Sequence, residues 1–227
     1  MSSDMASIAE NIQHLQKELP SHVRLIAVSK TKPVSDLQQA YDAGQRIFGE
    51  NYVQELTEKQ PLLPADIEWH FIGHLQSNKV KYIAPFVHCI HGVDSFKLLK
   101  EISKQAVKNN RTIQCLLQVH IAQEESKFGF SPAELLEQST AFNPQDYPGV
   151  ELCGLMGMAS FSDDLQLVRS EFQRLKSTFD TLQSGAFSSL SSFREISMGM
   201  SGDWKMAIEE GSTMIRVGSA IFGSRNL

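Results

Sequence analysis

The feature that most constrains the fold of this chain is a rhythm. After Pro20, a short apolar run is followed by an amphipathic stretch, and the alternation repeats about eight times. Predicted strands cover residues 24–28, 46–48, 69–72, 87–92, 113–120, 150–154, 195–197 and 214–217. Predicted helices lie between them at 34–43, 52–60, 78–83, 95–108, 132–141, 165–182 and 204–210. The strands are aliphatic or β-branched and lack a clean in–out alternation, as expected of a parallel sheet buried on both faces. Strand–helix units repeated this often point to an α/β fold, and the closed solution is the (β/α)8 TIM barrel. An open doubly wound sheet is the competitor, but its common GxGxxG fingerprint after the first strand is absent.

At 227 residues the chain exceeds the usual domain size of roughly 100–150, yet one α/β barrel accommodates it. Segments 143–149 and 184–192 read as surface loops too short to link domains, so residues 1–227 are taken as a single domain. An N-terminal helix at about 3–18 is expected from the helical spacing of Ile8, Ile12 and Leu15 ahead of Pro20. The formal charge of −5, without a basic run, argues against nucleic acid or an anionic membrane as the main partner. Cys89, Cys115 and Cys153 are scattered in apolar runs and read as small buried strand residues. The N-terminus lacks an apolar leader core, and no run of roughly 20 apolar residues occurs, so a cytoplasmic location is expected.

In such a barrel the chemistry sits at the C-terminal ends of the strands, with phosphate bound after strands seven and eight. The first strand ends in Ser29-Lys30-Thr31-Lys32-Pro33. A lysine there can form an imine with a carbonyl if its amine is neutral at the moment of reaction. Lys32 would share a face with Lys30 if the strand continues, and could lower its pKa; equally, both could be solvated loop lysines. After strand seven, Ser201-Gly202-Asp203 reads as a turn into a helix start, suited to phosphate or to plain N-capping. Gly218 and Ser219 repeat the small-plus-hydroxyl theme after strand eight. Arg216 lies inside an apolar strand, where its cation needs either an internal salt bridge or a ligand atom. Glu50 and Asn51 follow strand two; His70 and His74 follow strand three, at a spacing that suits a metal only on a helix, so none is expected. Lysine, double phosphate cup and buried arginine on one rim together call for a ligand with an aldehyde, a phosphate and a basic ring nitrogen, and pyridoxal 5′-phosphate has all three.

Several stretches carry a family resemblance: LIAVSKTKP (25–33), FGENYVQE (48–55), WHFIGHLQSNK (69–79), ESKFGF (125–130), LMGMAS (155–160) and SMGMSGDWKMAIEEGSTMIRVGSAIFG (197–223). In order and spacing they resemble the pyridoxal-phosphate homeostasis proteins (the YggS/PROSC group), whose fold is similar to the barrel domain of alanine racemase. The resemblance implies a Schiff base on Lys30 and phosphate held by Ser201, Gly218 and Ser219. It also implies Arg216 opposite the pyridine nitrogen, Asn51 along the ring face, and cofactor handling by Lys32 and Lys127.

A permanent cation opposite the ring nitrogen keeps that nitrogen unprotonated and weakens the cofactor as an electron sink. Racemases of this fold take a second base, a tyrosine, from an added C-terminal domain; this sequence ends at Leu227, so none is expected. The leading expectation is a non-enzymatic monomer that buffers pyridoxal phosphate or delivers it to apo-enzymes. The alternatives are a pyridoxal-phosphate racemase or lyase of low activity, and a cofactor-free barrel enzyme acting on a phosphorylated sugar.

Overall fold

The computed structural model describes residues 6–125 and 128–224. Eight parallel strands close into a barrel in sequence order: β1 (Arg24–Val28), β2 (Ile47–Glu50), β3 (Glu68–Phe71), β4 (Cys89–Val93), β5 (Ile113–Gln118), β6 (Val150–Met156), β7 (Glu195–Ser197) and β8 (Met214–Val217). The ring is sealed where β1 pairs with β8, with Ile26 opposite Arg216. The expected (β/α)8 architecture is therefore the one formed. Helices α2 (Val34–Asp42), α3 (Val53–Lys59), α4 (Val80–Ile83), α5 (Phe96–Lys108), α6 (Pro132–Ser139), α7 (Leu165–Ser184) and α8 (Trp204–Glu209) follow β1 to β7 in turn, and the short α9 (Ser219–Phe222) follows β8.

The helix α1 (Ile8–Glu18) precedes the barrel. It starts later than expected because Ser7 closes a capping box with Glu10, which fixes the first turn; residues 3–5 lie outside the described residues. Its buried Ile12 and Leu15 join the outer core, and Asn11 Nδ2 donates to the Ile221 carbonyl at 2.9 Å, tying the front of the chain to α9.

Two apolar layers hold the barrel. The larger lies between strands and helices, with Phe48, Phe71, Phe172, Phe187 and Phe193 fully buried. The smaller fills the interior with Ile26, Cys89, Leu116, Cys153, Met156 and Met214. All three cysteines are free and buried, matching the sequence reading. At Gly154 on β6, a Cβ would lie 1.7 Å from the Glu195 carbonyl oxygen, so only glycine lets β6 and β7 approach. No helix among the described residues is long and apolar enough to cross a membrane.

Candidate functional site at the barrel mouth

β1 ends at Val28, as expected, so the condition under which Lys30 and Lys32 would share a strand face is not met. Pairing ends at Val28, Ser29 N–H donates to the Gly49 carbonyl at 3.0 Å, and Lys32 N–H folds back to the Ser29 carbonyl at 3.1 Å. Thr31, between them, takes a left-handed φ of 63°, which disfavours any residue with a Cβ. Lys30 and Lys32 thus reach the mouth from a tight corner, not from one strand face. Lys32 Nζ donates to the Gly223 carbonyl at 3.4 Å, and Lys127 lies outside the described residues.

An ionic cluster sits beneath that corner. Lys59, buried on the inner face of α3 beside Leu56, places Nζ 2.6 Å from Glu50 Oε1, 2.6 Å from Glu55 Oε1 and 2.8 Å from the Ser29 carbonyl oxygen. Ser29 Oγ donates to Glu50 Oε1 at 2.8 Å, and Thr31 N–H donates to Glu55 Oε1 at 2.5 Å. Burial pushes the Glu50 carboxyl upward against the pull of Lys59, and its Oε2 has no partner among the described residues. Asn51, next along, approaches the backbone of Gly73, where a Cβ would stand 2.2 Å from the Asn51 carbonyl oxygen. The Asn51 Oδ1 is buried without a hydrogen-bond partner among the described residues.

Across the mouth, neither Ser201 nor Asp203 caps α8 with its side chain. Asp203 Oδ1 instead accepts from Met200 N–H at 2.7 Å. Ser201 Oγ accepts from Gly218 N–H at 3.3 Å and Ala220 N–H at 3.5 Å, so the loops after β7 and β8 meet at one hydroxyl oxygen. Gly218 sits against β1, where a Cβ would lie 3.3 Å from the Val28 side chain and carbonyl.

Arg216 is buried, and its NH1 donates to the Ser197 carbonyl at 2.9 Å and to Ser197 Oγ, while NH2 donates to the Gly157 carbonyl at 3.1 Å. Every one of these acceptors is neutral. Three of the five guanidinium N–H donors are engaged in this way, and no ion pair to Arg216 forms among the described residues. Burial pulls its pKa down to about 10, with Asp203 acting weakly in the opposite sense, so it remains a cation at neutral pH. The internal salt bridge weighed from the sequence is not what holds it.

Beneath Arg216 a polar chain crosses the barrel: Ser197 Oγ lies 2.9 Å from His91 Nδ1, and His91 Nε2 lies 2.7 Å from His70 Nδ1. Burial drives both imidazoles well below the usual histidine range, and each also feels neighbouring positive groups. Both are therefore neutral at physiological pH. His70 and His74 do not share a site, since His74 faces outward to stack on Phe128 at 3.7 Å and pair with Asp94 at 3.5 Å.

The mouth encloses a cavity of about 1220 Å³, lined by Lys30, Asn51, Ser201, Arg216, Gly218 and Ser219 among others. All six predicted site residues therefore converge on one space, with Lys32 at its edge. Sequence reading missed Ser29, Glu55, Lys59, His91 and Ser197. Lys59 had a signal: it stands three residues after Leu56, on the face of α3 turned to the barrel.

Residues 3–226 match the family described as alanine racemase, N-terminal domain. A pyridoxal phosphate homeostasis protein from Pasteurella multocida is 41% identical over 231 residues, spanning 98% of this chain and 97% of that one. The structures of PipY from Synechococcus elongatus superpose with TM-scores of 0.88 without PLP and 0.84 with PLP bound, at 38% and 37% identity, over 96% of this chain and all of PipY. Alanine racemase from E. faecalis, at 19% identity and a TM-score of 0.76, shares the barrel over 96% of this chain and 58% of its own. With near-full-length identity of this order on a common barrel, the chain belongs to the pyridoxal phosphate homeostasis protein family.

Proposed function

We propose that this chain binds pyridoxal 5′-phosphate through a Schiff base on Lys30 and acts in cofactor homeostasis, buffering the reactive aldehyde or delivering it to apo-enzymes. The observation that carries the reading is the buried Arg216, a cation that among the described residues has only neutral partners and two N–H donors without an acceptor, facing the same cavity as Lys30. The residues present fit the group. Ser201, Gly218 and Ser219 form a small-residue edge with a hydroxyl for the phosphate, Arg216 stands for the ring nitrogen, and Asn51, whose Oδ1 has no partner among the described residues, lines the ring space. A relative in this family, PipY, has a structure with PLP bound. When bound, pyridoxal 5′-phosphate would supply an aldehyde, and Lys30 would supply the amine that holds it as an imine.

The protein's own groups restrain further chemistry. Arg216 opposes protonation of a nitrogen placed against it, and its neutral hydrogen-bond partners offer no carboxylate to reverse that effect. On this reading the chain is a one-domain monomer of the cytoplasm whose role is binding, not turnover. Purified protein should be yellow, and borohydride followed by peptide mapping should place the adduct on Lys30. Lys30→Ala should lose the visible band, and α-deuterium exchange in amino acids should stay far below about 1 s⁻¹, the low end of ordinary turnover. Trapping on another side chain, or none with added cofactor, would overturn the assignment.

A further inference from the structure

Thr31 is the clearest backbone outlier near the proposed site, a β-branched residue held at φ 63° immediately after Lys30. Such a conformation is strained and persists only where the surroundings over-determine it. Here the surroundings are three groups gathered on one ammonium. Lys59 Nζ holds the Ser29 carbonyl on one side of Lys30, and it holds Glu55, whose carboxylate accepts from the Thr31 N–H on the other side. It also holds Glu50, which accepts from the Ser29 hydroxyl. The peptide units flanking Lys30 are thus both clamped, directly or through one carboxylate, by a single buried cation.

We propose that Lys59 is the positioning residue that aims the Lys30 amine into the cavity, by locking the strained Ser29–Lys30–Thr31 corner through Glu50 and Glu55. The inference rests on Lys30 being the bonding amine. Lys59 lies at 6% exposure with its three N–H donors matched to three acceptors, so it serves as an anchor and not as a second amine for the aldehyde. Its loss frees the corner to relax toward ordinary φ values and swings the root of the Lys30 side chain. The phosphate edge at Ser201 and Gly218 belongs to other strands and is untouched.

This separation sets the test. Lys59→Met keeps a chain of similar length without the charge. Lys59→Met/Glu50→Gln also removes the buried carboxylate that would be left behind, and it serves where the single variant folds poorly. Two ligands are titrated into each protein: pyridoxal 5′-phosphate, and 4′-deoxypyridoxine 5′-phosphate, which keeps ring and phosphate but carries a methyl in place of the aldehyde. The expected result is about a tenfold loss of affinity for pyridoxal phosphate, equivalent to about 1.4 kcal/mol, with affinity for the deoxy analogue changed less than twofold. Unchanged affinity for both ligands, or an equal loss for both, overturns the positioning role. Borohydride trapping of the wild type on Lys30 is run alongside, so a fault in the Lys30 assignment shows there and not in the variant.

Discussion

The two imidazoles inside the barrel make stability depend on pH in a calculable way. His70 and His91 are fully buried and bonded to each other, and burial holds both well below the ordinary histidine pKa. In the unfolded chain each titrates near 6.5. The unfolded state therefore binds more protons than the fold as pH drops below that value. The associated stability is fully present above pH 6.5 and is lost on acidification. Where neither imidazole takes up a proton in the fold, the linkage integral from pH 7 to pH 5 reaches its ceiling of about 2 kcal/mol per histidine and about 4 kcal/mol for the pair, a large share of a typical 5–15 kcal/mol. Glu50 and Asp203, both pushed upward by burial, act in the opposite sense. The clean measurement is a difference: urea unfolding of ligand-free wild type and of His70→Gln/His91→Gln at pH 7, 6 and 5. Both proteins carry the carboxylate contribution, and only the wild type carries the histidine one. The wild type should lose more stability than the variant over that range, by up to about 4 kcal/mol. Equal losses in the two proteins would falsify the argument, because they would mean that the buried imidazoles titrate alike folded and unfolded.

Two further substitutions probe the frame around the site. Gly154→Ala places a Cβ 1.7 Å from the Glu195 carbonyl, so it should cost more than about 4 kcal/mol or abolish soluble expression; a variant with near-normal thermal unfolding refutes the close β6–β7 approach. Arg216→Met removes a buried charge whose partners are all neutral, and the desolvation recovered offsets the stranded Ser197 and Gly157 carbonyls. Its urea stability should move by less than about 2 kcal/mol, while pyridoxal phosphate binding falls; a collapse in stability would make Arg216 a structural pillar.

How far the sequence led can be traced residue by residue. β1, β7 and β8 have the bounds expected from the sequence, and for β8 the reason is plain, since Thr213 and Gly218 flank its apolar run. β2 extends beyond its expected end because Gly49 and Glu50, which read as loop, pair along β3. Glu50 is buried there only because Lys59 arrives from a helix to meet it, and composition alone does not announce a buried pair. α9 was missed because it is a single turn. Lys30, Gly218 and Ser219 were legible as candidates because they closely follow a strand, Ser201 because it opens the turn after β7, and Arg216 because its charge interrupts the apolar β8. His91 and Ser197 were not: they stand 106 residues apart, and only closure of the ring brings them within 2.9 Å.

The two sides of the mouth are charged by opposite strategies, which explains how a chain of net charge −5 offers a site for an anion. Below Lys30, the buried Lys59 faces two carboxylates, so that side is compensated and supplies rigidity. On the β7–β8 side the fold keeps carboxylates off Arg216. Asp203, the acid whose field it feels, is turned to the Met200 N–H, and Ser197 and Gly157 supply dipoles in place of charge. A carboxylate bonded to that guanidinium would satisfy it more cheaply and cancel the local field. Leaving the cation with neutral partners costs stability, visible in the pKa drawn down to about 10, and concentrates positive potential where the proposed phosphorylated ligand enters.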